Sequence, residues 1–244
     1  QQRSLYQGQI EELEKILAQP ADDEIHPGKF AKLLSELAKD EDFKKALNQQ
    51  LLDHHTKFLA DAQGAADATA GKAISGQTKI AAAGLFLLNY VINGKGFFLT
   101  PAQFLTGILH ADGADADYVI ATQADPGYGK TEVGGGLAAY ERILSAVRAG
   151  KPIMLVVPQD QHVDDWKDRM TNVFGTFGID VTEINSKTDF STALQQMEQA
   201  TKQASTTGSI TIVENSRLVF TLVELVQSGR WEEFIGRYDW VGID

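Results

Sequence analysis

From residue 118 onward, short apolar runs alternate with amphipathic stretches of crossover length, and this alternation constrains the fold more than any other feature of the chain. The spacing predicts strands over 118–122 (YVIAT), 152–157 (PIMLVV), 179–184, 209–213 (SITIV) and 240–243. Between them it predicts helices over 132–149, 163–174, 189–204 and 218–227; on the second, Val163, Trp166, Met170 and Val173 share one face. Strands joined by helices of this length return in the same direction. They therefore pair in parallel, and a parallel sheet has to be covered on both faces. The expected fold class is α/β.

Before Gly94 nothing reads as a strand. Apolar residues recur at helical spacing in three groups: Leu5, Ile10, Leu13, Ile16 and Leu17; Phe30, Leu33, Leu34 and Leu37; Phe43, Leu47, Leu51 and Phe58. The run 80–92 (IAAAGLFLLNYVI) is the longest apolar stretch, is interrupted by Asn89, and falls short of the roughly 20 residues a bilayer span needs. It predicts a buried helix and no membrane span. The Ala/Gly-rich stretch 60–77 fits either a connector or a helix packed through small residues. The expected division is a helical N-terminal segment, 1–94, and an α/β domain, 95–244. His54 and His55 are adjacent on a helix and point about 100° apart, so they cannot share one metal without a second element and are expected to face solvent.

Composition narrows the chemistry. The 244 residues contain no cysteine, which excludes disulfides, thiol nucleophiles, iron–sulfur clusters and thiolate zinc sites, and fits a reducing, cytoplasmic setting. Residues 1–94 carry 10 Lys and Arg against 13 Asp and Glu, and residues 95–244 carry 12 against 20, so both parts are acidic, at −3 and −8. Neither is a basic nucleic-acid module, and loose electrostatic attachment to nucleic acid or anionic lipid is disfavoured. The chain begins at Gln1 without a basic stretch leading into an apolar one, so no targeting peptide is expected and the chain reads as part of a longer protein.

The chemistry is concentrated in residues 124–131, ADPGYGKT. A loop that leaves a strand and opens a helix aims successive backbone N–H groups at one point, and glycines let the backbone approach a phosphate closely. Gly127 and Gly129 supply that freedom on either side of Tyr128. Lys130 is placed to reach the β- and γ-phosphates of a nucleotide, and the Thr131 hydroxyl to ligate Mg²⁺. The alternative is a glycine-rich turn that binds nothing. Gly134, Gly135 and Gly136 are costly inside a helix, and close packing of that helix on the sheet is the expected reason.

The pattern AxxGxGKT, with Ala124 in place of the usual first glycine, resembles motif I of superfamily-2 helicases and translocases. The run 129–158 is similar to the stretch from motif I into motif Ia, and SITIVENSRLVF followed by YDWVGID resembles the motif Ib region and the strand that delivers motif II. The resemblance covers roughly residues 100–244. It implies a P-loop, RecA-like first motor domain, ATP and Mg²⁺ as cofactors, and Asp244 as the motif II carboxylate on the metal. It also implies that Gln103, in FLTPAQ, reads the adenine edge, although Thr100-Pro101-Ala102-Gln103 is equally a helix capping box. In the family the water-positioning Glu follows the motif II Asp, and the arginine fingers come from a second domain. The 244 residues are therefore expected to bind nucleotide without hydrolysing it, with no catalytic residue of their own.

Two departures bear on the substrate. Pro158-Gln159-Asp160-Gln161 has no arginine, and Glu214 stands where the family has Thr ahead of Asn215, Ser216 and Arg217. A carboxylate opposite a phosphodiester is repulsive. The stretch 210–215 also resembles the Sec-pathway preprotein motor, so nucleic acid and polypeptide both remain open as the moved polymer. A different class of reading makes the chain a binding module, with residues 1–94 docking a protein partner and a nucleotide site that is vestigial or regulatory.

Overall fold

A computed structural model describes residues 27–68, 76–96, 99–114 and 129–243. In chain order the first elements are α1 (Pro27–Leu37), α2 (Glu41–Ala68), α3 (Gly76–Asn93) and α4 (Pro101–Ala114). A continuous helical stretch follows, made of α5 (Lys130–Glu132), a π-helical turn (Val133–Ala138) and α6 (Ala139–Ala149). The remaining elements are β1 (Ile153–Val157), α7 (Asp160–Thr176), β2 (Asp180–Ile184), α8 (Phe190–Ala204), β3 (Ser209–Glu214), α9 (Asn215–Gln227), a 3₁₀ turn (Trp231–Glu233) and β4 (Trp240–Ile243).

The four strands form one sheet in the order β2-β3-β1-β4, with every pair parallel. The register aligns Ile153 with Ile210 and Trp240, and Val156 with Val213 and Ile243. Alternate side chains of β1 go to opposite faces. Ile153, Leu155 and Val157 join a core with α6 and α7, whereas Met154 and Val156 join a smaller one with Ala193 and Met197 of α8. Leu218 of α9 packs on the second core as well. The crossovers share one hand. The step from β1 out to β2 carries α7 on the first face, and the two steps back, to β3 and β4, carry α8 and α9 on the second. The expected α/β class, with a parallel sheet covered on both faces, is what the chain forms.

The helices before residue 94 belong to the larger core. Leu51 and Leu59 of α2 and Phe86 and Tyr90 of α3 are buried among Tyr140, Phe174, Phe177 and Ile210. Asn89, the polar residue inside the apolar run, is fully buried and donates its amide to the carbonyl of Val173 at 2.7 Å. That bond removes the cost of placing it there. The run therefore packs as a buried helix, and among the described residues no helix is long and apolar enough to cross a membrane. The open stretch 60–77 resolves partly: α2 runs on to Ala68, and α3 starts at Gly76. The helix expected near Leu5 to Leu17 and the strand 118–122 lie outside the described residues.

His55 requires a correction. It is fully buried rather than solvated, with Nδ1 3.0 Å from the Tyr140 hydroxyl and its ring 4.8 Å from that of Phe177. Burial pushes its pKa down to about 4, so it is neutral in the core. Its neighbour His54 is exposed, as expected. The residues around His55 come from α2, α6 and the turn after α7, so the aromatic cluster that covers it is absent from the local pattern.

Candidate functional site

The helical stretch that begins at Lys130 runs back along the sheet into β1, which puts its N-terminus toward the carboxyl ends of the strands, where α/β folds place ligands. Gly129 is its N-cap, in the left-handed conformation (φ 80°, ψ 41°), and no side chain among the described residues caps it. A Cβ at Gly129 would stand 2.8 Å from Gln103 Nε2 and 3.2 Å from Glu132 Oε2, and the left-handed backbone favours glycine at this position. The side-chain-free backbone that a phosphate-wrapping loop requires is met at this position. Lys130 is exposed and Thr131 half-buried. The rest of the expected loop, Ala124 to Tyr128 with Gly127 among them, lies outside the described residues, and so does Asp244.

Gln103 forms the capping box. The Thr100 N–H donates to Gln103 Oε1 at 2.7 Å, and the Gln103 N–H donates to Thr100 Oγ1 at 3.3 Å, fixing the first turn of α4. The same geometry lays Nε2 of that amide beside Gly129. Capping and proximity to the loop are thus properties of a single rotamer. Among the described residues no group of three or more His, Asp or Glu side chains converges as a metal site.

The glycine triplet has a divided explanation. A Cβ at Gly135 would lie 2.7 Å from Trp166 Nε1, and one at Gly136 would lie 3.0 Å from both Met170 Cε and Phe86 Cζ. Close packing therefore accounts for these two. Gly134 has nothing within 4 Å, and packing does not explain it. All three sit in the π turn, where the Ala139 N–H donates five residues back to Gly134 O and the Trp166 indole N–H reaches Gly135 O at 2.9 Å. The turn is thereby bound to α7.

Sequence reasoning missed the group behind Thr131. Glu132 is only 4% exposed; its Oε1 accepts from Arg169 Nη1 at 2.8 Å and from the Tyr90 hydroxyl at 3.3 Å. Burial, with the Glu132 carboxylate beside it, pushes the Tyr90 hydroxyl well above its ordinary pKa, so it stays a donor. Glu132 Oε2 is buried with no hydrogen-bond partner among the described residues. Arg169 borders the apolar stripe of Trp166 and Met170 on its helix, but as a residue a third exposed it gave no sign of a buried partner.

At the opposite junction, Glu214 ends β3 and closes the start of α9. Its carboxylate accepts from the backbone N–H groups of Ser216 (3.0 Å) and Arg217 (2.8 Å) and from the Ser216 hydroxyl. Burial pushes its pKa up, and these bonds outweigh it, leaving the carboxyl below its ordinary range. Nearby, Asp160 accepts from the backbone N–H of Ser186 at 2.7 Å and from the Ser186 hydroxyl. Asp189 caps α8 through Thr192 N at 3.0 Å. The chain's own carboxylates thus engage backbone N–H groups at all three places. Comparison with family models, curated proteins and solved structures finds no match for this chain.

Proposed function

We propose that this chain is a nucleotide-binding P-loop domain of the RecA-like kind, the ATP-binding motor domain of a superfamily-2 helicase-like ATPase acting in the cytoplasm. The observation that carries the reading is the start of the helix at Gly129-Lys130-Thr131. It is a left-handed glycine followed by an exposed lysine and a threonine, uncapped by any side chain among the described residues, on the carboxyl side of a parallel sheet. In this reading Gly127, Tyr128 and Gly129 supply backbone N–H groups to the phosphates, and Lys130 supplies the charge. Thr131 and Asp244 hold Mg²⁺, which neutralises phosphate charge when bound. Gln103, already beside Gly129, borders the nucleotide and offers its amide to the adenine.

The hand of the crossovers supports this. A parallel strand that feeds the Gly129 helix and keeps the common hand has to stand on the β4 side of β1, because α6 lies on the same face as α7. A loop arriving from that side enters Gly129 beside the end of β4, where Ile243 pairs with Val156 and the next residue is Asp244. Titration with Mg-ATP tests the reading. Saturable binding that Lys130→Ala abolishes without lowering the melting temperature is the expected result. No binding by the folded wild-type chain would overturn it in favour of a protein-interaction module.

Glu214 favours a polypeptide over nucleic acid as the moved polymer. A phosphodiester approaching α9 would find its N–H groups already used, and a carboxylate in its place. Retention of the full chain on single-stranded DNA or RNA at 0.15 M salt would reverse that preference.

A further inference from the structure

Glu132 is the buried charged group that the proposed site does not use. It lies one residue past Thr131, inside the first turn of the helix whose N-terminus is to hold a phosphate, and its Oε2 faces Gly129 with no partner among the described residues. A carboxylate there competes with an incoming anion for the positive end of the helix, and burial strengthens that opposition. Arg169 of α7 balances it, with Nη1 2.8 Å from Oε1 and a side chain about a third exposed. We infer that the Glu132–Arg169 pair trims the affinity of the phosphate loop, with Glu132 opposing the bound anion and Arg169 setting how strongly. The inference rests on the phosphate-loop reading above.

The placement gives the pair a use. Arg169 stands on the crossover helix between β1 and β2, and Tyr90, the second donor to Oε1, stands on α3. A shift of α7 that lengthens the ion pair leaves Glu132 uncompensated beside the phosphate and loosens the nucleotide.

Two substitutions have opposite signs. In Glu132→Gln the carbonyl must keep the Oε1 place, because Arg169 and Tyr90 both donate to it. The amide nitrogen then faces Gly129 as a neutral donor, and affinity for Mg-ADP rises about three- to tenfold. In Arg169→Gln the opposing charge is unmasked and affinity falls by a similar factor. Calorimetric titration of the 244-residue chain with Mg-ADP measures both, and thermal melts without nucleotide show whether each variant is folded. A merely structural pair would weaken binding in both variants in step with lost stability, which would overturn the inference. So would unchanged affinity in either folded variant; if Glu132→Gln does not fold, Arg169→Lys, which keeps the compensating charge, takes its place and must bind more tightly than an Arg169→Gln variant of equal melting temperature. Wild type and Lys130→Ala keep the two ideas apart. Wild type that binds no Mg-ADP removes the phosphate loop and this inference together, whereas normal loss in Lys130→Ala with the wrong sign in Glu132→Gln removes this inference alone.

Discussion

Gly129 and Glu214 each open a helix on the carboxyl side of the same sheet, and they treat the exposed backbone N–H groups in opposite ways. At Glu214 the chain brings its own carboxylate onto Ser216 and Arg217, so the helix start is chemically closed. At Gly129 no side chain among the described residues caps the helix, the left-handed backbone favours glycine, and the carboxylate of Glu132 turns its bonded oxygen away toward Arg169. A parallel α/β sheet produces several equivalent helix starts. The start of α7 at Gln159 also lacks a side-chain cap, so an open helix start alone does not single out Gly129; what does is the left-handed glycine followed by the exposed Lys130.

The largest effect is expected where the open junction is fastened to the core. Trp166 is fully buried, lies over Gly135 and donates its indole N–H to the Gly135 carbonyl. Trp166→Ala should destabilise the chain by about 4 kcal/mol, measured by denaturant unfolding. Trp166→Phe keeps most of the apolar contact and leaves that carbonyl without its donor, at about 1–2 kcal/mol. Equal losses in the two variants would mean that the hydrogen bond, and not the packing, holds the π turn.

Acid should separate the two junctions by pH. His55, behind the helix that opens at Gly129, has its pKa lowered from 6.5 to about 4 in the folded chain. The unfolded state therefore binds more protons between those values, and stability falls as the pH drops from about 6.5 to 4, by about 3 kcal/mol in all, then levels off. Glu214, also lowered, loses its contribution only as the pH falls below the ordinary carboxylate range of about 4.5. Melting temperature against pH should show the first step alone down to pH 5, and His55→Gln should flatten it. A step that survives in His55→Gln would assign the loss to carboxylates.

How much of this was legible follows from what each signal depends on. The strands 152–157, 179–184, 209–213 and 240–243 and the helices between them could be read because period and length are local properties; the strands fall within a residue of their expected places, and the helices expected from 163 and 218 begin three residues earlier, at Asp160 and Asn215. His55 could not, because its burial is decided by Tyr140 and Phe177, far along the chain. Glu132 was passed over for the same reason: nothing beside it in sequence announces Arg169 or Tyr90. Gln103 showed its capping box in sequence by spacing, while the resemblance gave it a contact with adenine and not with Gly129. Only geometry showed that one rotamer serves the cap while facing Gly129. Local rules thus located the open junction, and long-range packing supplied the charges around it.

Among these effects on stability, the smallest is expected from converting the closed junction into an open one. Threonine is itself an accepted N-cap, so Glu214→Thr keeps one hydrogen bond to the start of α9 and should change stability by less than about 1 kcal/mol. It removes the carboxylate that now occupies the place an anion would take, and the neighbouring Asp160 charge stays engaged with Ser186. If that carboxylate is what keeps phosphodiesters away, the variant should gain measurable binding to a short single-stranded oligonucleotide, stronger at 0.05 M than at 0.2 M salt, because each phosphate contact releases counterions. Fluorescence anisotropy of a labelled oligonucleotide reads this directly, with wild type as the reference. A folded variant that gains nothing would show that more than Glu214 closes this edge, and the contrast between the two junctions would then rest on the missing arginines around Gln159 as much as on the cap.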